Sequence, residues 1–173
     1  MIVQMCIMIM LVGMSMNWGV SDSEAIVSKS LYSLLKIENQ GVIRGVNFEM
    51  TRKNILDIET NATITRENNS LIVHEPIGGL TKEDLVKVKY KFGENGLYLI
   101  TVEAFQRNKV DIHRLHKALE KHFNDKLTLS DDHYDGFQIW NGTDEASETE
   151  YMVLMRDKSA ATDGRLSLEF YAM

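Results

Sequence analysis

Val86-Lys87-Val88-Lys89-Tyr90-Lys91-Phe92 alternates apolar and charged side chains without a break. Successive side chains of a strand point to opposite faces, so Val86, Val88, Tyr90 and Phe92 share one face and three lysines share the other. An antiparallel strand with one face in a core and one in water has this pattern. Gly93-Glu94-Asn95-Gly96 follows, and residues 97–105 are again rich in apolar side chains. Asn-Gly between two such runs marks a tight hairpin, because both residues tolerate positive φ. The stretch 86–105 therefore predicts a β-hairpin, and the rest of the fold is read outward from it.

Downstream, residues 110–124 predict an amphipathic helix with Ile112, Leu115, Leu119 and Phe123 on one face. Strands are expected at 134–140, 151–156 and 166–171, with 141–149 a polar loop and Asp163-Gly164 a turn. Upstream, Asn68-Asn69 turns between strands at 61–66 and 71–75. Thr51 caps a short helix over 52–59, and 42–48 is a short extended piece broken at Gly45. A further helix is expected over 22–37, where Val27, Leu31, Leu34 and Leu35 recur at helical spacing. Strands in runs rather than alternating singly with helices predict an α+β fold, an antiparallel sheet with helices packed on one face. A tandem helix-plus-strands repeat is a candidate, with units at about 45–105 and 110–173.

Composition bounds the rest. The 173 residues carry 19 basic and 25 acidic side chains, a net charge of −6, with 44% apolar and 25% charged residues. Those values fit one globular domain and exclude a disordered, collagen-like or bulk membrane chain. One cysteine excludes an internal disulfide framework and a cysteine-based zinc site. The acidic balance argues against a nucleic-acid partner. Residues 1–21 carry no charge, and six of the ten methionines lie there. The apolar part has the length of a signal-peptide core rather than of a spanning helix, although no Lys or Arg precedes it. The expectation is a signal peptide or N-terminal anchor at 1–21 and a single α+β domain at 22–173. It implies export to the periplasm, cell surface or medium, with membrane contact only through the N-terminal segment.

Gly45-Val46-Asn47-Phe48-Glu49-Met50-Thr51-Arg52-Lys53-Asn54-Ile55-Leu56 resembles the "G-x-x-F-G-M-T-x-x-x-V" helix-start pattern of small exported bacterial proteins built on helix-plus-three-strand units. Tyr90-Lys91-Phe92 with Asn95-Gly96-Leu97 is similar to their first hairpin. The β-lactamase inhibitor protein fold and the small outer-membrane-assembly lipoproteins are examples. Glu49 stands where a glycine is usual. The resemblance implies a fold and a binding role, and it carries over no catalytic residue.

Chemistry-bearing clusters are few. His113 and His116 lie near one side of the 110–124 helix with Glu120 a turn beyond, and could share a metal; His122 points elsewhere. A boundary helix with partly packed histidines is the plainer reading. Asp131, Asp132, Asp135 and Gly136 suggest a calcium loop, but His133 and Gly142 fall where oxygen ligands are required. Lys87, Lys89 and Lys91 could grip a polyanion, or simply keep a strand soluble. No nucleophile elbow and no glycine-rich phosphate loop is present. The expected function is an exported, non-enzymatic binding or inhibitor module of the cell envelope with a protein partner and no cofactor. The alternative is a small metal-dependent hydrolase using His113 and His116.

The expected contact surface is the sheet face away from Val86 and Tyr90. Taking Glu103, Gln138, Arg156 and Glu169 as outward markers puts Leu97, Leu99, Phe105, Trp140, Met152, Leu154 and Tyr171 on that face. Leu99, Trp140, Leu154 and Tyr171 are the candidate partner-binding residues. Either a partner covers them, or the 22–37 helix does through its leucine stripe.

Overall fold

Among the described residues, the first regular element opens at a capped helix start. In the computed structural model, which describes residues 36, 41–60, 62–76, 85–105, 109–132, 134, 136–156 and 162–173, Thr51 caps α1 (Arg52–Ile58). The Asn54 N–H donates to the Thr51 hydroxyl while the Asn54 side chain accepts from the Thr51 N–H, which satisfies two otherwise orphaned donors. The segment 1–21 and the helix expected over 22–37, Lys36 apart, lie outside the described residues.

Among the described residues, eight strands follow in two runs. They are β1 (Thr63–Glu67), β2 (Ser70–Pro76), β3 (Leu85–Gly93) and β4 (Gly96–Phe105), then α2 (Lys109–Lys126), then β5 (Thr128–Leu129), β6 (Phe137–Thr143), β7 (Glu150–Arg156) and β8 (Arg165–Ala172). They form a single antiparallel sheet in the order β1-β2-β3-β4-β8-β7-β6-β5. The architecture is α+β and dominated by the sheet.

The hairpin that anchored the sequence reading is present, with one irregularity. Val88 pairs with Val102 and Tyr90 with Ile100, but the register shifts between Lys91 and Phe92. Lys91 faces Leu99 while Phe92 faces Leu97, so Tyr98 is the extra residue of a bulge. The bulge corrects the expected face of Leu97: its side chain is 2% exposed and belongs to the core, not to the row of Leu99.

Core residues come from both runs of strands and from α2. Ile112, Leu115, Leu119 and Phe123 are buried in one cluster with Val88, Val102, Val153, Leu168 and Phe170. The Phe123 ring lies 5.3 Å from Trp140 and 6.1 Å from Phe170. Each such side chain stabilises by about 1.5–3 kcal/mol on leaving water.

Trp140 requires a second correction. Its register partners are Val153 and, one strand on, Phe170, both core residues. It is fully buried, so it sits on the face opposite Leu99, Leu154 and Tyr171. Gln138 misled the phase, since a polar side chain was taken to point at water. Instead the Gln138 amide donates to Glu120 Oε1 at 2.9 Å, and the Trp140 indole donates to Asn124 Oδ1 at 2.8 Å. The polar edge of α2 supplies partners that let polar groups of β6 point inward. The strand itself begins at Phe137 and runs to Thr143, later than expected, with Tyr134 joined to Phe137 by an isolated bridge.

Residues 41–51 form a sequence of turns rather than an extended piece. Ile43 bridges to Val46 across Arg44 (φ 58°) and Gly45 (φ 78°). Glu49 has φ 65°, a left-handed position that a residue with a Cβ adopts only at a steric cost. The Glu49 N–H donates to the Leu97 carbonyl and the Leu97 N–H to the Met50 carbonyl, at 3.1 and 3.0 Å, so this segment docks on the start of β4.

Candidate functional site

Strand register divides the outward face into rows that cross the sheet. One row runs Asn141, Met152, Tyr171, Leu99 and Lys91; the next runs Ile139, Leu154, Glu169, Thr101 and Lys89; a third includes Phe137, Arg156, Glu103 and Lys87. Three of the four expected contact residues, Leu99, Leu154 and Tyr171, thus share this face, and Trp140 does not. Ile139 takes the place on this face that Trp140 was expected to hold.

The apolar part of the face is concentrated rather than continuous. The bulge turns Tyr98 outward beside Leu99, and its ring meets Tyr171 edge to face at 6.3 Å. Tyr98 and Tyr171 are 38% and 43% exposed, whereas Leu99 beside them is only 8% exposed. Glu169 and Thr101 interrupt the second row, and Arg156 lies over the Phe137 ring at 5.2 Å in the third. Two of the three lysines in the stripe are matched by carboxylates: Lys87 pairs with Glu103 at 3.0 Å and Lys89 with Glu67 at 2.8 Å. Those pairs are worth little as stability, but they reduce the local excess of positive charge that a polyanion would need.

The histidines do not converge. His113 is exposed on α2, while His116 is 5% exposed and turned inward. Neither imidazole nitrogen of His116 has a partner in hydrogen-bond geometry, although the Arg156 main chain and Glu120 lie close enough to favour its charged form. Burial outweighs them and pushes the His116 pKa down. Among the described residues, no three His, Cys, Asp or Glu side chains form a group able to hold a metal ion. Asp135 and His133 of the acidic turn lie outside the described residues.

One buried polar cluster was not foreseen. The Arg44 guanidinium donates to both Glu59 carboxylate oxygens, each at 2.7 Å, and also to Glu75. The Tyr90 hydroxyl donates to Glu59 Oε1 at 2.6 Å, and Lys36 reaches Glu59 Oε2 at 3.4 Å. Burial alone would raise the Glu59 pKa, but the hydrogen bonds and charge of Arg44 reverse this and hold it low. Burial, reinforced by the Glu59 charge, raises the Tyr90 hydroxyl well above its ordinary value. A permanently ionised, fully partnered pair has no spare proton or lone pair for chemistry, so the cluster is an anchor between the turn at 43–46, the end of α1 and the sheet. Tyr90 was the available signal: a hydroxyl in an otherwise apolar row needs a buried partner.

Compared with known proteins, the chain matches no family model, no curated protein and no solved structure.

Proposed function

We propose that the chain is a non-enzymatic binding module that holds a protein partner of the cell envelope against the outward face of its sheet. The carrying observation is the Tyr98–Tyr171 pair beside Leu99 and Met152. Exposed tyrosines next to aliphatic side chains are the composition of protein-contact centres, because a rigid amphipathic ring loses little entropy on docking. Glu169, Arg156 and the paired lysines around them give orientation rather than affinity. Export rests on the uncharged segment 1–21. The resemblance of residues 45–56 and the first hairpin to exported binding proteins points the same way.

A tandem origin belongs to the same reading. Each run is a helix followed by a meander, and the strand order 1-2-3-4-8-7-6-5 mirrors about the β4–β8 pair. In this reading the helices of both units cover one face and leave the other to the partner. The first unit has four full strands, and the second has three plus the two-residue β5.

The test places a photo-crosslinking amino acid at Tyr171, and separately at exposed Tyr134 as a control, in the full chain in its native cells. One discrete adduct at position 171, repeated in identity by mass spectrometry and lost on Leu99→Asp, is expected. Equal adducts at both positions, or none at 171, overturns the proposal. Recovery of the chain with cytoplasmic proteins on fractionation overturns its export.

A further inference from the structure

A cavity of about 550 Å³ opens between the end of α2, the 41–47 turns and the β6–β7 loop, on the side of the sheet away from Tyr171. Its size falls in the range that encloses small organic ligands. Phe123, Tyr151 and Phe170 form an apolar wall.

The charges around the cavity have a sign. Glu145 and Lys126 are both exposed and offset each other. Burial, with Lys126 nearby, pushes the His122 pKa down, which disfavours a positive charge on its ring. Asp144 remains: it is 3% exposed, and accepts from the Phe48 N–H at 2.8 Å, the Ser147 hydroxyl at 2.9 Å and the Ala146 N–H at 3.1 Å. Those bonds fix the carboxyl group in place; burial, and after it the nearby Asp144, raises the Tyr151 hydroxyl pKa. The cavity also meets the last turn of the 18-residue α2, through His122, Phe123, Lys126 and Leu127. A helix C-terminus carries roughly half a negative charge. Finally, Asn47 Oδ1 is buried at the cavity without a hydrogen-bond donor. An unfilled buried acceptor is unfavourable unless a ligand or water supplies the donor.

We infer that this cavity binds a small organic amine, with its apolar body against Phe123 and Phe170 and its ammonium toward Asn47 Oδ1 and the negative end of α2. The same field disfavours a carboxylate of equal size. This site is independent of the outward face and of the protein partner proposed for it.

The test is calorimetric titration of the full chain with 2-phenylethylamine and, separately, 3-phenylpropionate. The amine should bind at least about tenfold more tightly than the acid, since the helix end and the carboxylate act together. Asn47→Ala should weaken amine binding about tenfold, the usual worth of a hydrogen bond to a charged group. Ala146→Trp, which fills the mouth from an exposed position, should abolish it while leaving the thermal melt unchanged. Equal affinity for acid and amine, no amine binding at millimolar concentration, or binding indifferent to both variants overturns the inference.

Discussion

Single backbone positions decide how residues 41–51 meet the sheet. Gly96 has φ 102°, and a Cβ there would lie 2.4 Å from the Glu49 carbonyl oxygen and 2.7 Å from its carbon. Backbone atoms held by the Glu49–Leu97 and Leu97–Met50 hydrogen bonds cannot swing aside as a side chain would. Gly96→Ala should therefore cost roughly 2–6 kcal/mol, with strained backbone and overpacking each contributing about 1–3. Across the contact, Glu49 is exposed and left-handed. Glu49→Gly relieves about 1–2 kcal/mol of left-handed strain but frees the unfolded chain by about 0.4–1. Its expected effect lies between neutral and about 1.6 kcal/mol of stabilisation. Urea unfolding of both variants reads this out. A tolerated Gly96→Ala would show that the 41–51 segment does not dock on β4 as described.

At the scale of elements, legibility followed the strength of the period. The β3–β4 hairpin and α2 were legible because each repeats its pattern over several turns or pairs and ends in clear punctuation. The caps and turns at Thr51 and Asn68-Asn69 were legible because the residues that form them act locally. The phase of β6 was not. Phe137, Ile139, Gln138 and Trp140 offer an apolar residue on either face, and only the position of Glu120 and Asn124 on α2 decides which face is inside. The bulge at Tyr98 was hidden for a similar reason: alternation carries no mark where one residue is inserted. The Arg44–Glu59 pair joins residues 15 apart through a turn that sequence alone cannot close. Of the expected contact residues, three shared a face because β7, β8 and the part of β4 beyond its bulge kept their period, and Trp140 was lost with β6. α2 contributes Ile112, Leu115, Leu119 and Phe123 to the core cluster, and Leu119 is fully buried in it. Leu119→Ala should cost about 2–5 kcal/mol. A loss under about 0.5 kcal/mol in a denaturant midpoint would make α2 peripheral to folding.

For the whole molecule, buried titratable groups set a pH window. His116 has its pKa held below the ordinary 6.5, mainly by burial. His122 is shifted the same way by burial and by Lys126, but is less deeply buried. The unfolded imidazoles take up protons as the pH falls through about 6.5, before the folded ones do. The unfolded state then binds more protons, so stability is full above that pH and declines below it. A second decline follows below the ordinary carboxylate value of 4.5, where Arg44 still holds Glu59 ionised in the folded chain. On the alkaline side, burial raises Tyr90 above its ordinary value of 10.0, so the folded chain keeps a proton that the unfolded chain loses. Stability is therefore full below that pH and falls above it. The acid limb can be dissected because neither ring nitrogen of His116 has a partner in hydrogen-bond geometry. His116→Phe keeps the volume and aromatic contact while removing the titration. Urea midpoints between about pH 7 and 5 should then fall much less steeply than in the parent chain, and the remaining slope should shrink further in His116→Phe/His122→Gln. The decline below the carboxylate range should persist in both variants, since Glu59 is untouched. An unchanged slope between pH 7 and 5 in the double variant would place the acid sensitivity elsewhere than in α2.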